Sequence, residues 1–160
     1  PGQFKDKNNF AGSTAFVDFN LVKGTLIQSF DFYKALEHPF SRAAYMMFVL
    51  SEVHPFLDGN GRIARVMMNA VLVETEQSKI IIPTVFRDDY MGALKRLTKQ
   101  GDTGPYIRML QRAHEFSENI FGDDMEEMQD YLKQCNAFSE HTEATLKMIP
   151  RNEDFPDTSA

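Results

Sequence analysis

The sequence contains almost no cysteine and no long apolar run. Cys135 is the single cysteine in 160 residues, so an internal disulfide is excluded, and no Cys/His spacing suggests a zinc site. This usage fits a reducing compartment. No apolar run approaches the roughly 18 residues that a membrane-spanning helix needs, and no signal-like leader is visible. We therefore expect no membrane partner.

The chain also has fewer positively charged than negatively charged residues. The chain has 17 Lys and Arg against 23 Asp and Glu, a formal net charge of −6, which disfavours nucleic acid as a partner. With 42% hydrophobic residues and 14 Phe, the composition indicates a folded globular chain about one domain long. The sequence begins with Pro rather than Met, as expected of a processed or excised piece.

One segment concentrates the chemically useful side chains. It runs from His54 to Arg65, HPFLDGNGRIAR, and we call it the motif loop, residues 54–65. Gly59 and Gly61 permit positive φ, so this backbone can form a concavity that binds anions. Apolar residues then recur at helical spacing, which predicts a helix over about 62–76. The N-terminus of that helix would favour a phosphate.

The predicted helix has two distinct faces. Arg62, Arg65 and Asn69 fall on one stripe, where each guanidinium could pair with phosphate oxygens. The apolar set centres on another stripe, and we expect it to enter the core: Ile63, Val66, Met67, Ala70 and Val71.

Two more side chains of the motif loop bear on the reaction. The Asp58 carboxylate would repel a bare polyphosphate but suits Mg²⁺, which takes one or two carboxylates together with phosphate oxygens. The His54 imidazole titrates near neutral pH and can accept a proton from an attacking hydroxyl. Each residue alone has an ordinary structural explanation. Together, at this spacing, they favour phosphate chemistry.

The motif loop resembles the signature of the Fic domain family, His-Pro-Phe-x-(Asp/Glu)-Gly-Asn-Gly-Arg-x-x-Arg, at every fixed position. Weaker similarity covers about residues 1 to 120, in Pro1–Phe4, Gly12–Val17, Ile82-Pro83, Arg87–Tyr90 and Gly101–Ile107. The resemblance implies an all-α, mainly helical Fic fold with a short β-hairpin flap, which would occupy residues 1–150.

The resemblance also implies an activity, the Mg²⁺-dependent transfer of AMP from ATP to a Ser, Thr or Tyr hydroxyl of a target protein, with release of pyrophosphate. His54 would be the general base, and Asp58 would hold Mg²⁺ against the α- and β-phosphates. The remaining matched residues would bind the phosphates. Gly59, Asn60 and Gly61 would do so through backbone and side chain, and Arg62 and Arg65 would bind the outer phosphates.

Two further positions take a meaning from the family. Members that act as kinases carry Lys at the position of Gly61, so this glycine favours nucleotidyl transfer. Tyr90 lies where the family tends to place residues near the nucleotide base, so it could stack on adenine. An aromatic residue in an amphipathic helix is also explained by the core.

The sequence leaves several alternatives open. The site could bind a nucleotide without turnover, as a regulatory module, or it could remove AMP from a modified protein. The preference for ATP over GTP or UTP, the target and the oligomeric state are open. The setting could be a bacterial cytoplasm, or the cytosol of a host cell for a secreted effector.

An inhibitory element is a further possibility. Many Fic proteins are silenced by a helix with Ser/Thr-x-x-x-Glu-Gly/Asn, and Ser139 to Ala144 is similar except for its final Ala. Glu143 is thus a weak candidate for inhibition in cis. A lost N-terminal segment, an antitoxin in trans or no inhibition at all are the alternatives.

The remaining elements follow from apolar spacing and turn residues. Residues 15–27 are β-prone and predict the flap, along which a target segment could pair, although a loop on the core is the alternative. A helix from Pro39 should deliver His54. Further helices are expected at 87–100, 104–121 and 123–136, the last with a core stripe of Met125, Met128, Leu132 and Cys135. The tail 151–160 should fray, and His38, His114 and His141 are taken as structural or surface residues.

Overall fold

The structure is a computed structural model that describes residues 2–141 and 143–151. Within these residues it has six α-helices, a short 3-10 helix at Thr84–Phe86 and one antiparallel hairpin, which confirms the predicted all-α class. The strands are β1 (Phe10–Ala11) and β2 (Thr14–Ala15). The helices are α1 (Val22–Ala35), α2 (Pro39–Val53), α3 (Asn60–Glu74), α4 (Arg87–Gln100), α5 (Gly104–Ser117) and α6 (Met125–Gln134).

The chain folds as two compact units. The first comprises residues Pro1–Lys79 and Leu97–Asp102, and the second comprises Ile80–Arg96 together with the chain from Thr103 onward. The predicted span of a single Fic domain over 1–150 stays a prediction. No helix in the described parts of either unit is both long and apolar enough to cross a bilayer.

The core of the first unit lies between α2 and α3. Helix α2 begins with Pro39 in its first turn, where the missing N–H costs nothing. Its buried face includes small residues that let the two helices approach closely. The apolar residues with at most 5% exposure on the two helices are Ala43, Ala44, Met47, Val53, Ala64, Met68, Val71 and Leu72.

The prediction for residues 15–27 is wrong. The hairpin lies earlier, with Phe10 opposite Ala15 and Ala11 opposite Thr14, and Gly12 takes φ +58 in its turn. Residues 22–27 of the β-prone run are instead the start of α1. Val22 packs in one cluster with Val49, Val53 and Leu26. Burial against α2 outweighs the local β preference of these residues.

The core face of α3 also differs from the prediction. Val66 and Met67 are 60% and 36% exposed, whereas Ala64 and Met68 are fully buried. Both sets of residues repeat at helical spacing, so the pattern alone allowed either face. Packing against α2 selected the face that carries the small Ala64.

The ends of the other helices were predicted with mixed success. Helix α4 occupies the predicted residues 87–100, and α3 begins two residues early. Helix α5 ends at Ser117, four residues early, and α6 spans only Met125–Gln134, where Asp124 caps two backbone N–H groups.

The predicted core stripe of α6 is only partly correct. Met125 is 81% exposed because it lies in the first turn, and the buried residues are Tyr131 and Cys135. Fraying is wrong for Arg151, whose guanidinium donates to the Phe121 carbonyl at 2.8 Å and pairs with Glu127 at 2.9 Å. Residues 152–160 lie outside the described chain.

Candidate functional site

A pocket of about 360 Å³ lies in the first unit, beside the hairpin and the motif loop. It brings together the residues of the motif loop that the sequence predicts to act on ATP or the hydroxyl. The pocket is lined by Asn9, Phe10, Ala11, Phe16, His54, Leu57, Asp58, Gly59, Asn60, Gly61, Arg62 and Arg65.

His54 follows the last residue of α2 and has the left-handed conformation φ 47, ψ 61. Its backbone N–H still donates to the Leu50 carbonyl at 3.2 Å. The ring Nδ1 lies 2.6 Å from the Ser51 carbonyl oxygen. Because a carbonyl only accepts, this contact places the proton on Nδ1 and leaves the lone pair on Nε2. The ring therefore presents a base through Nε2.

The surroundings of His54 favour its neutral form. The Phe16 ring stacks on the imidazole with centroids 3.5 Å apart and planes 9° from parallel. Burial lowers the pKa of His54 below its ordinary 6.5, the Ser51 carbonyl raises this pKa in part, and the Lys5 charge lowers it further. A histidine that is neutral at pH 7 can accept a proton from a hydroxyl.

Asn60 holds the motif loop closed. Its Oδ1 accepts from the Phe56 N–H at 2.9 Å, and its Nδ2 donates to the Phe56 carbonyl at 2.8 Å. The side chain is 3% exposed. Oδ1 and one N–H of Nδ2 are therefore used within the loop. The contact of this side chain with phosphate stays a prediction.

Gly59 and Gly61 have different conformations. Gly59 has φ +80 and precedes the first residue of α3, as expected for the concavity. Gly61 has no positive φ, since it is part of the first helical turn, so the prediction is wrong at this residue. A Cβ at Gly61 would lie 3.6 Å from the Arg65 guanidinium. Its missing side chain thus leaves room beside that arginine.

The N-terminus of α3 supplies the predicted anion site. Gly59 has no side chain to cap the first turn, and Gly59, Asn60 and Gly61 all line the pocket. The first N–H groups of a helix lack intrahelical partners, and the helix dipole is positive at this end. A phosphate group placed in the pocket would meet both.

Asp58 and Arg62 pair with each other at 3.2 Å, with side chains 92% and 75% exposed. The residues that the structure describes contain no cluster of three or more His, Cys, Asp or Glu side chains suited to a metal. Asp58 is thus a single carboxylate at the pocket. Such a donor fits Mg²⁺ where phosphate oxygens and water complete the coordination shell.

Three candidate residues lie elsewhere. Asn69 is on α3 but does not line the pocket. Tyr90 is on α4 in the second unit, where its proximity contributes to the raised pKa of the buried Tyr106. Glu143 is exposed in a turn rather than in a helix. The roles of Tyr90 with adenine and of Glu143 in inhibition stay predictions.

Sequence reasoning did not identify Lys5, Asn9 and Phe16. Lys5 is 4% exposed, and its Nζ donates to Asn9 Oδ1 at 2.7 Å and to the Val53 carbonyl at 3.3 Å. Nothing in the sequence distinguishes it from the exposed Lys7 two residues later. Phe16 was noticed only within a β-prone run and a stretch of weaker family similarity. Their contacts with the motif loop depend on long-range packing.

The family model and the similar proteins found by comparison all carry the same family name. The Fic/DOC family model matches residues 1–72. The protein adenylyltransferase Fic of Drosophila persimilis is 41% identical over 73 residues, 46% of this chain and 14% of that protein. Its namesake in Drosophila willistoni is 38% identical over 78 residues, 49% of this chain and 16% of that protein. The chain therefore spans a small part of the length of these relatives.

Solved structures share the fold. Fic-1 of C. elegans (residues 134–508) superimposes with a TM-score of 0.60 at 24% identity, covering 84% of this chain and 38% of that one. A Fic domain containing signaling protein from Bacteroides thetaiotaomicron superimposes with a TM-score of 0.57 at 22% identity. The match covers 73% of this chain and 55% of that chain. Residues 1–72, which hold the hairpin, α1, α2 and the whole motif loop, are thus the part of the chain that matches the Fic/DOC family model.

Proposed function

We propose that this chain carries the catalytic centre of a protein adenylyltransferase, which transfers AMP from ATP to a Ser, Thr or Tyr hydroxyl of a target protein. One observation carries the proposal. A histidine with a free Nε2 and the uncapped N-terminus of a helix with two arginines line the same pocket. The names of the relatives support the same activity.

The proposed reaction begins at the hydroxyl of the target. His54 Nε2 takes the hydroxyl proton while the oxygen attacks the α-phosphorus of ATP. A new oxygen–phosphorus bond forms, and the bond from the α-phosphorus to the oxygen that bridges to the β-phosphate breaks. The electron pair leaves with pyrophosphate. The products are an AMP ester of the target, pyrophosphate and protonated His54.

The other residues neutralise charge rather than react. The N–H groups at the start of α3 and the Arg62 and Arg65 guanidiniums would bind the phosphates that become pyrophosphate. Bound through Asp58, Mg²⁺ would supply further positive charge at the phosphates. Since Asp58 and Arg62 now pair with each other, nucleotide binding would give each of them a new partner.

The target is proposed to dock along the hairpin. Every residue of β1 and β2 is exposed, and Phe10, which lines the pocket, is 66% exposed. An extended target segment could add to one edge of this short sheet through backbone hydrogen bonds. Such pairing would bring a hydroxyl of that segment to the pocket that contains His54.

The decisive experiment compares two labels of ATP. The protein is incubated with Mg²⁺, a cell lysate and ATP labelled at the α-phosphate or at the γ-phosphate. Above the label found in lysate without this protein, we expect added label only from α-labelled ATP, and only when Mg²⁺ is present. Label from γ-labelled ATP alone would instead indicate phosphorylation.

The matched variants are His54→Ala and His38→Ala, which remove histidines at the two ends of α2. Losing a general base typically lowers the rate by about 10²- to 10⁴-fold. We expect that loss for His54→Ala and no loss for His38→Ala. Transfer that survives in His54→Ala would contradict the mechanism. Binding of MgATP without any transfer would favour the regulatory module that the sequence left open.

A further inference from the structure

The backbone of His54 is held in an uncommon conformation. Its φ of 47 and ψ of 61 lie in the left-handed region, which residues other than glycine seldom adopt. Such a conformation persists when surrounding contacts determine it. The contacts on both sides of His54 therefore decide where its ring lies.

Those contacts come from Lys5. Its backbone N–H donates to the Pro55 carbonyl at 2.8 Å, and its Nζ donates to the Val53 carbonyl at 3.3 Å. Val53 and Pro55 are the two chain neighbours of His54. One residue thus holds the carbonyls immediately before and after the proposed base.

Asn9 extends these contacts along the motif loop. Its Oδ1 accepts from Lys5 Nζ at 2.7 Å, and its Nδ2 donates to the Phe56 carbonyl at 2.9 Å. The same carbonyl accepts from Asn60 at the start of α3. Hydrogen bonds therefore connect Lys5, next to the hairpin, with the start of the motif loop and, through Phe56, with the first residue of α3.

The burial of Lys5 is unusual for a lysine. The residue is 4% exposed while its neighbours Asp6 and Lys7 are exposed, and burying an ammonium is costly without compensating contacts. Here two oxygen acceptors and the nearby Asp18 charge offset part of this cost, and burial still lowers the pKa of Lys5. The ammonium also lies at the negative end of the α2 dipole.

We propose that Lys5 is a positioning residue for His54, because it holds the carbonyls on both sides of the imidazole and, through Asn9, the loop that follows. Its effect on catalysis rests on the proposed function. Its effect on the imidazole does not, since it follows from the contacts alone. Lys5 orders the base before any substrate binds.

The test compares Lys5→Met with Lys7→Met in the whole chain. Methionine keeps an apolar stem of similar length but removes the ammonium, and Lys7 provides an exposed lysine two residues away. The first measurement is the tautomer of His54 by NMR at pH 8, with the resonance assigned through His54→Ala. The second is the dependence of AMP transfer on ATP concentration.

For Lys5→Met we expect the His54 ring to change from the Nδ1-protonated form to a mixture of tautomers. We also expect kcat to fall roughly tenfold to hundredfold, since a small misplacement of a catalytic group has effects of this size. The KM for ATP should change less than about twofold, because the residues proposed to bind phosphate keep their places. Lys7→Met should match the wild type in every measurement.

Two further variants keep the proposal falsifiable. Lys5→Arg retains a cation that can donate, and it should recover much of the wild-type kcat. Asn9→Asp still accepts a hydrogen bond from Lys5 but cannot donate one to the Phe56 carbonyl. It should therefore give a smaller loss of kcat than Lys5→Met. If Lys5→Met does not fold, Asn9→Asp tests the proposal in its place. A folded Lys5→Met or Asn9→Asp with wild-type tautomer would overturn the proposal, even if the protein proved to have no transferase activity.

Discussion

The two ends of the pocket are built differently. At the His54 end, Nδ1 is 2.6 Å from the Ser51 carbonyl, the ring stacks on Phe16, and Lys5 holds the flanking carbonyls. At the other end, Asp58 and Arg62 are largely exposed and share one ion pair of 3.2 Å. The base end is fixed by the protein, and the phosphate end is loosely held.

This difference matches what each end is proposed to do. A general base acts on a mobile hydroxyl, so its orientation must exist before the reaction. The arginines bind a polyanion that can itself order them, and exposed ion pairs contribute little to stability in its absence. Substitutions at the base end should therefore alter kcat, and those at the phosphate end should alter nucleotide affinity.

Among the substitutions that compare the two ends, the largest effect is expected from Asn60→Ala, because Asn60 connects them. It removes two hydrogen bonds to Phe56 and should lower the free energy of unfolding by about 1–3 kcal/mol. We expect transfer to fall about 100-fold as the loop loosens. Denaturant unfolding and label transfer measure the two quantities. Asn60→Asp, which keeps the bond from the Phe56 N–H, should lie between wild type and Asn60→Ala.

Arg62→Ala and Arg65→Ala come next in size. Each should weaken MgATP binding about tenfold to a hundredfold, as expected for the loss of charge-assisted hydrogen bonds, with the free energy of unfolding changed by less than about 0.5 kcal/mol. Calorimetric titration with MgATP measures the affinity, and Arg108→Ala, an exposed arginine of α5, is the control. A change in the His54 tautomer in either variant would show that the two ends are not independent.

Gly59→Ala should have a smaller effect. Alanine at φ +80 is expected to cost about 1–2 kcal/mol of unfolding free energy, because its Cβ disfavours the left-handed region. Gly24 lies inside α1 with open space around it, so Gly24→Ala should stabilise the protein by roughly 0.5–1 kcal/mol. Parallel denaturant titrations compare them. Equal effects of the two substitutions would argue against a special conformation at Gly59.

The smallest effect is that of raising the pH. Since burial lowers the pKa of His54 below 6.5, His54 is neutral in at least about three quarters of the molecules at pH 7. The value of kcat/KM should therefore rise less than about 1.3-fold between pH 7 and 8. The charged groups that line the pocket are Asp58, Arg62 and Arg65, and the Lys5 charge also acts on His54.

The acidic side of the same kcat/KM profile shows the direction in which activity depends on pH. The activity should fall as the pH drops through the lowered pKa, below 6.5. The unfolded chain binds the His54 proton more readily than the folded one, so the stability linked to this group is present above pH 6.5 and is lost as the pH falls through the folded pKa. An activity midpoint above 6.5 in the kcat/KM profile would contradict the structure.

The sequence predicted those parts whose signals are local. Helices α2 and α4 begin and end close to the expected residues because Pro39 and the turn residues around them are local signals. The motif loop lines one pocket, as its residue types at fixed spacing indicated. These features depend on neighbours within a few residues along the chain.

The errors arose where a local pattern allowed two outcomes. The run after Ala15 has β-branched residues, yet α1 begins at Val22, which packs with Val49 and Val53 of α2. Either of two apolar stripes on α3 could have been the core, and packing selected Ala64 and Met68 over Val66 and Met67. The hydrogen bonds of the Asn60 side chain to Phe56 were likewise not predicted from the local pattern.

By itself, the sequence determined which chemical groups are present and in what order, because a base, a carboxylate, a glycine with positive φ and two arginines are properties of residue type and spacing. Only the tertiary structure decided how the base is held. Lys5 and Phe16 lie 49 and 38 residues from His54 along the chain, and only the folding of the hairpin region against α2 brings them to the imidazole. Spacing along a chain carries no information about such distant partners.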